Sequence, residues 1–334
     1  MKRIAIATAL LATAASVASQ SRLPTPSSEV VGVGNFTHIV ANLDAFIHFY
    51  HDVVGLELAA PARPWDNNPA ILDLANAQGA QYRFVALKIP GSALGVEGVE
   101  YRDIDRAPVM PRFQDPGAAN LVLEVRGLDS FLDRLRRADA RFVNRAAVPM
   151  TVEIAAVKIR IVFVQDPDGF FVELIERVQA LDTDARSSSD VLGGRFEAIV
   201  TDTDRTMRLY REALGLKPDG AGVFSGTGIL LDALGTPGAR FRRSTASIPG
   251  TSVRIAFLEF KDIERNPLRT RFRDPGTAVL QLRVRDAEKV RSALVAAGGE
   301  DLSTGRRAVS YGSAMRLALV RDPDNLFLEL IQTP

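Results

Sequence analysis

One short stretch of this chain occurs twice, and it constrains the fold more than any other feature. The first copy, VFVQDPDGFFVELIE, spans 162–176, and the second, ALVRDPDNLFLELIQ, spans 318–332. Each copy predicts a strand, a tight turn and a second strand, because Asp, Pro and Gly or Asn suit such a turn. In the second strand Glu173 and Glu329 alternate with apolar residues, so each Glu lies on the face opposite them. That face meets either solvent or the inside of a polar cup.

The similarity extends well beyond this stretch. The segment IVANLDAFIHFYHDVVGL at 39–56 matches IVTDTDRTMRLYREALGL at 199–216, and Asp262 lies 159 positions after Asp103 in a second matching segment. A period of this length is far too long for a solenoid repeat. Within each half, the pattern of strands and helices predicts the order β-α-β-β-β twice. The sequence therefore predicts four related modules in two tandem halves.

Composition excludes several classes of protein. Lys and Arg number 41 against 40 Asp and Glu, so the overall charge does not favour nucleic-acid binding. The 334 residues include no cysteine, which excludes disulfides, thiol catalysis and cysteine-ligated zinc. Any metal site would have to use histidine, carboxylate or amide oxygen ligands. We find no dinucleotide-binding or phosphate-binding loop motif.

The first 20 residues have the pattern of an export signal. Lys2 and Arg3 precede a short apolar run, and Ser16-Val17-Ala18 forms a candidate cleavage site. The apolar run is too short for a transmembrane helix, and no later segment has the length to span a bilayer. We therefore predict a periplasmic or secreted protein that is not a membrane protein. The Ser-rich and Asp-rich stretch 179–192 predicts a linker between a first domain, 31–178, and a second domain, 193–334.

Taken together, these segments resemble the vicinal oxygen chelate superfamily, which includes glyoxalase I, bleomycin- and fosfomycin-resistance proteins and extradiol dioxygenases. The resemblance rests on HIVANLD, FYHDVVGL, VEY, NLVLEV and DPDGFFVELIE in the first half and on their counterparts in the second. It implies an α+β fold in which paired βαβββ modules form open half-barrel cups. It does not identify the reaction, because this fold hosts several chemistries.

The resemblance also implies a ligand set for a divalent metal ion in the first half. The matching strand positions are His38, Glu100, Asn120 (where the family usually has His) and Glu173. Such donors suit Mn, Ni, Fe, Zn or Mg. The corresponding positions of the second half are Ala198, Glu259, Val279 and Glu329, and because Ala and Val cannot bind metal, this half is expected to be degenerate.

The family contains two ways of pairing modules, within a domain or across domains, and the sequence does not choose between them. Pairing across domains would combine His38 and Glu100 with Glu329, and Asn120 and Glu173 with Glu259. The strand alternation predicts that Tyr101 points away from the cup. Arg112 and Trp65 are further candidates for substrate binding, although the repeat of Arg112 as Arg271 favours a structural ion pair with a nearby Asp.

Two functional classes follow. The first is a metal-dependent lyase or isomerase acting on a small oxygenated molecule, with Glu173 or Glu100 as the general base. The second is a non-catalytic protein that binds or sequesters a small molecule. The survival of His38 with two Glu favours the enzyme. An extradiol-type dioxygenase is less favoured, because the 2-His-1-carboxylate set requires a second histidine. The sequence leaves open whether the protein is a monomer or a homodimer.

Overall fold

The computed structural model describes residues 28–144, 147–154, 156–179, 188–219, 222–226 and 228–334. The predicted export signal and most of the predicted linker lie outside these residues. The described chain forms two large mixed sheets with few helices, which confirms the predicted α+β class and the modular order. Neither sheet closes into a barrel within the described residues.

Sheet 1 combines the first and the last module of the chain, and nine described strands belong to it. Module 1 supplies β1 (Val30–Val40), β2 (Glu57–Leu58), β3 (Gln81–Lys88) and β4 (Gly95–Arg102). Module 4 supplies β14 (Ala278–Val284), β15 (Glu300–Asp301), β16 (Val309–Tyr311), β17 (Met315–Arg321) and β18 (Phe327–Gln332).

Sheet 2 combines the two central modules and also contains nine described strands. Module 2 supplies β5 (Ala119–Val125), β6 (Arg141–Phe142), β7 (Met150–Ile154), β8 (Val157–Gln165) and β9 (Phe171–Arg177). Module 3 supplies β10 (Val191–Ile199), β11 (Lys217–Pro218), β12 (Arg240–Ser247) and β13 (Arg254–Lys261). Strand β10 thus begins at Val191, inside the end of the predicted linker.

The helices lie mainly between the sheets. They are α1 (Leu43–Ile47, continued by a π-helical turn at His48–Val53), α2 (Pro69–Leu74), α3 (Leu128–Arg137), α4 (Thr203–Leu214), α5 (Gly228–Ala233) and α6 (Ala287–Ala296). Helix α1 begins after Asn42, whose side chain accepts a hydrogen bond from the backbone N–H of Ala45. No helix among the described residues is long and apolar enough to cross a membrane.

The modules pair across the two halves of the chain. Strand β1 runs antiparallel to β14, and β5 runs antiparallel to β10. Of the two arrangements that the sequence left open, the structure therefore contains the pairing across halves. Each concave sheet face is a cup lined by residues from both halves, which we call cup 1 for sheet 1 and cup 2 for sheet 2.

The main core lies between the two sheets. Phe36 of β1 and Phe196 of β10 meet there with ring centroids 4.6 Å apart, and Leu121 and Leu280 are buried in the same cluster. Because side chains alternate along a strand, the residues next to these point into the cups. The packing between sheets therefore decides which residues of each strand line a site.

The Asp-Pro-Asp turns connect the modules within each half. The side chain of Asp166 accepts hydrogen bonds from the backbone N–H groups of Asp168 and Phe170, each at 2.9 Å, and from the hydroxyl of Tyr50 at 3.1 Å. In the second half, Asp322 accepts the hydroxyl hydrogen bond of Tyr210 at 3.0 Å. The repeated turn is thus an anchor between a hairpin and the first helix of its half.

Because the modules pair across the halves, we predict that each half requires the other to fold as a stable, non-aggregating unit. Fragments 28–179 and 188–334 produced together should purify as a 1:1 complex, because β1–β14 and β5–β10 carry backbone hydrogen bonds between them. Each fragment alone should self-associate or aggregate through these exposed edges. Light scattering after size exclusion checks this, and two independently monomeric, folded fragments would contradict it.

Candidate functional site: two cups with different polar floors

The structure does not bring the four predicted metal ligands together. His38 is fully buried on the core side of β1, where its ring stacks on Phe170 at 3.7 Å. Its Nδ1 lies 3.1 Å from Asp166 Oδ2 and 3.3 Å from the hydroxyl of Tyr50. Burial lowers the pKa of His38, although Asp166 opposes the shift. His38 is therefore a neutral core residue on the face opposite cup 1.

Glu100 also lies outside the cups. Its Oε2 accepts a hydrogen bond from the backbone N–H of Leu43 at 2.9 Å and pairs with Arg83 at 2.7 Å. Glu259, its counterpart, makes the same contacts with Thr203 N and Arg242, at 2.8 and 2.7 Å. A carboxylate suits the N-terminus of a helix because of the free N–H groups there. Glu100 is therefore a helix anchor, and the prediction that it is a ligand or base in the cup is wrong.

Asn120 and Glu173 do lie together, on the floor of cup 2. The amide Nδ2 of Asn120 donates to Glu173 Oε2 at 2.9 Å and to Glu197 Oε2 at 3.3 Å. Glu197 comes from β10 of the other half, directly opposite Asn120 in the antiparallel pair. Two arginines complete this floor: Arg195 and Arg243 contact Glu197 Oε1 at 3.2 and 3.0 Å.

The floor of cup 1 contains Glu329, which the pairing across domains had placed in a site, together with residues that the sequence had not indicated. The Nε2 of Gln281 donates to Glu97 Oε2 at 2.9 Å and to Glu329 Oε2 at 3.0 Å. Thr37 Oγ1 also donates to Glu97 Oε2, at 2.8 Å. The backbone N–H of Asn35 donates to Gln281 Oε1 at 2.9 Å, which fixes the orientation of the amide. Gln281 therefore bridges a buried carboxylate, Glu97, and a partly buried one, Glu329, one from each half.

Within the described part of the chain, the carboxylates of cup 1 have no cationic partner. The residues that line this cup, with a volume of about 190 Å³, are mostly aromatic or aliphatic, and no Lys, Arg or His is among them. Burial, and then the charge of Glu329, raise the pKa of Glu97 to about 8. Burial also raises the pKa of Glu329, against the hydrogen bond from Gln281. Two ionised carboxylates in this place repel each other unless a proton or a cation intervenes.

Glu97 and Glu197, two floor residues that the sequence had not indicated, lie an odd number of positions along their strands from the predicted ones. Glu97 and Glu100 lie three positions apart on β4, so they point to opposite faces. The repeat of Glu100 as Glu259, in a half expected to be degenerate, was the available sign of a structural role. Glu97, by contrast, aligns with Ala256. Glu197 likewise precedes the predicted position Ala198, which is buried in the core between the sheets.

The remaining candidates also have structural partners. Arg112 forms an ion pair with Asp115 at 2.8 Å, and Arg271 repeats this with Asp274 at 2.7 Å, as the repeated loop sequence favoured. Trp65 packs against the guanidinium group of Arg102, 4.2 Å from its ring centroid. Tyr101, in contrast, lines cup 1, so the prediction that it points away is wrong. It shares the cup-facing side of β4 with Glu97.

Of the two floors, cup 1 has the donor set that fits a divalent ion. Glu97 and Glu329 offer carboxylate oxygens without a competing cation, and Thr37 adds a hydroxyl oxygen, while the NH2 group of Gln281 holds the two carboxylates. In cup 2, Arg195 and Arg243 already neutralise Glu197, so their positive charge opposes a second cation. Among the described residues, no three His, Asp or Glu side chains form a metal-binding group, so a site in cup 1 would rest on two carboxylates.

The comparisons with known proteins agree with this architecture. The family model described as Glyoxalase/Bleomycin resistance protein/Dioxygenase superfamily matches residues 32–174 and 194–330. The chain belongs to this superfamily, as its sequence motifs predicted. No curated protein matches it.

Solved structures of the same fold share little sequence with it. A mutant of glyoxalase I from Zea mays is 16% identical, with a TM-score of 0.58, over 90% of this chain and 93% of that one. A putative dioxygenase from Bacillus subtilis is 15% identical, with a TM-score of 0.55, over 92% of this chain and 87% of that one. At such identities the likeness concerns the fold alone.

The buried carboxylate pair predicts a pH-dependent stability. Folded Glu97 retains its proton up to about pH 8, whereas in the unfolded chain it releases the proton near its ordinary value of 4.5. This contribution is therefore complete below about pH 4.5 and is lost as the pH rises to about 8. In chelator-treated protein, Glu97→Gln should flatten the decline of Tm between about pH 5 and 8. Parallel Tm profiles of variant and wild type would contradict this.

Proposed function

We propose that the protein is a metal-dependent enzyme of the lyase or isomerase type, acting on a small oxygenated molecule in cup 1. The observation that carries the proposal is the pair Glu97 and Glu329. Both carboxylates accept a hydrogen bond from the amide of Gln281, and neither has a cationic partner among the lining residues. Carboxylate and hydroxyl oxygens are ligands of hard and borderline divalent ions. The two carboxylates come from separate halves, so folding of the whole chain assembles the site.

The side chains of cup 1 support proton-transfer chemistry on a compact, mostly apolar substrate. When bound, a divalent ion polarises substrate oxygens and stabilises negative charge that develops on them. Thr37 orients Glu97 by its hydrogen bond, and Gln281 holds the two carboxylates at one point. A buried carboxylate can take a proton from a substrate carbon and return it. The aromatic walls, including Tyr101 and Phe272, orient the substrate and exclude water.

The distribution of histidines disfavours an extradiol-type dioxygenase. The chain has three histidines, and all lie among the described residues. His38 is in the core, His48 is exposed beside Asp52, and His51 Nδ1 lies 2.7 Å from the backbone carbonyl oxygen of Leu56. None lines either cup. A 2-His-1-carboxylate site is therefore not formed.

Metal titration tests the proposal. Chelator-treated protein should bind one equivalent of at least one of Mn²⁺, Ni²⁺, Fe²⁺, Zn²⁺ or Mg²⁺ in calorimetry. Glu97→Gln and Glu329→Gln should each weaken binding at least about tenfold, because each removes a charged ligand. Glu173→Gln in cup 2 is the matched control and should leave the affinity unchanged. Equal binding by wild type and both cup 1 variants would refute this site.

A second function, binding of a small molecule without catalysis, has its own support. Gln281 satisfies both carboxylates without any ion, since its oxygen accepts from Asn35 and its nitrogen donates to Glu97 and Glu329. The same titration separates the two functions. Wild-type protein that binds none of the five ions, yet binds a small aromatic probe with an affinity that Tyr101→Ala weakens, supports the binding protein.

We also propose that the protein acts in the periplasm or outside the cell. The proposal rests on the sequence pattern of residues 1–20. After expression of the full chain, mass spectrometry of the exported protein should find a new N-terminus at Ser19, following Ala18. Replacing Lys2 and Arg3 by Glu should retain the uncleaved chain in the cytoplasm. Uncleaved protein in the cytoplasmic fraction of the unaltered chain would contradict export.

A further inference from the structure

Cup 2 is the larger of the two cups and has no role in the proposed chemistry. Its volume is about 470 Å³, against about 190 Å³ for cup 1. Apolar walls, including Phe113, Phe163 and Phe241, surround a polar floor. A cavity with apolar walls and a few convergent polar groups is the usual form of a small-molecule site.

The arginines of the floor have hydrogen-bonding capacity left over. Among the described residues, Arg195 donates a hydrogen bond from Nε to Glu197 and its Nη1 lies 3.8 Å from Glu124 Oε1, while Arg243 donates from Nε and Nη2 to the same Oε1 atom of Glu197. The side chains of Arg195 and Arg243 are 28% and 38% exposed, so their other N–H groups are accessible from the cup. Arginine side chains in this position suit a carboxylate ligand.

The charges around cup 2 favour an anion over a cation. Five arginines and four glutamates line it. Burial, and then the charge of Glu197, raise the pKa of Glu173, while Arg195 and Asn120 oppose the shift. Burial also disfavours ionised Glu197, but Arg243 and Arg195 outweigh it and lower the pKa of that group. Arg126 and Arg254 are already paired with Asp190 and Asp219, so Arg195 and Arg243 on the floor are the cations that an anionic ligand would meet.

We infer that cup 2 is a separate binding site for a small organic carboxylate with an apolar or aromatic body. The carboxylate would contact Arg195 and Arg243, and the apolar body would lie on the phenylalanine walls. The site is independent of the carboxylate pair in cup 1, because its residues come from modules 2 and 3.

Calorimetry on the full chain with three matched probes tests the inference. The probes are 4-hydroxybenzoate, the neutral 4-hydroxybenzamide and the cationic 4-hydroxybenzylamine. We expect saturable binding of the benzoate, at least about tenfold tighter than that of the amide, since a charged hydrogen bond is lost with the amide. Equal affinity for all three probes, or no saturable benzoate binding at concentrations on the order of 10 mM, would overturn it.

Variants assign the binding to cup 2. Arg243→Gln should weaken benzoate binding at least about tenfold and leave the amide unaffected, while Arg243→Lys should retain part of the affinity. Glu97→Gln in cup 1 should leave the benzoate affinity unchanged, which separates this site from the proposed enzyme site. If Arg243→Gln does not fold, as judged by its Tm, the test is the benzoate affinity of Arg243→Lys, which should be lower than that of the wild type. Benzoate affinity that depends on Glu97 and not on Arg243 would refute a site in cup 2.

Discussion

Backbone pairing between the two halves of the chain is the interaction on which the rest of the structure depends. The antiparallel pairs β1–β14 and β5–β10 join module 1 to module 4 and module 2 to module 3, and each cup is completed only by this exchange. Glu97 meets Glu329, and Glu173 meets Glu197, across these pairs. The Asp-Pro-Asp turns hold the modules of each half together by a different route, through Tyr50 and Tyr210.

The two cups share a fold and differ in how they handle buried charge. In cup 2, Arg195 and Arg243 lie beside Glu197 and lower the pKa of its carboxyl group, so this carboxylate is ionised. In cup 1 the lining residues offer the carboxylate pair only an amide and a hydroxyl. A buried charge without an opposite charge takes up a proton or a cation. This contrast is why metal-dependent chemistry is proposed for cup 1 and anion binding for cup 2.

Repetition in this chain is a sign of structural roles. Glu100 and Glu259 anchor equivalent helices, and Arg112 and Arg271 close equivalent loops. The cup floors, by contrast, combine a shared residue with divergent ones: Glu173 and Glu329 are repeated, whereas Glu97 aligns with Ala256 and Thr37 with Glu197. The divergent positions therefore make the two cups different, and the repeated Arg and helix-anchoring Glu residues maintain the framework.

The sequence by itself determined the four modules, the superfamily and the hairpin that carries Glu173, because these follow from local turn chemistry, alternation and repetition. Only the tertiary structure decided the pairing across halves and the facing of each strand. Neighbouring residues of a strand point to opposite faces. The predicted positions His38 and Ala198 therefore lie in the core, and their neighbours Thr37 and Glu197 lie on the cup floors. That facing is set by Phe36 and Phe196, which pack between the sheets and direct their neighbours into the cups.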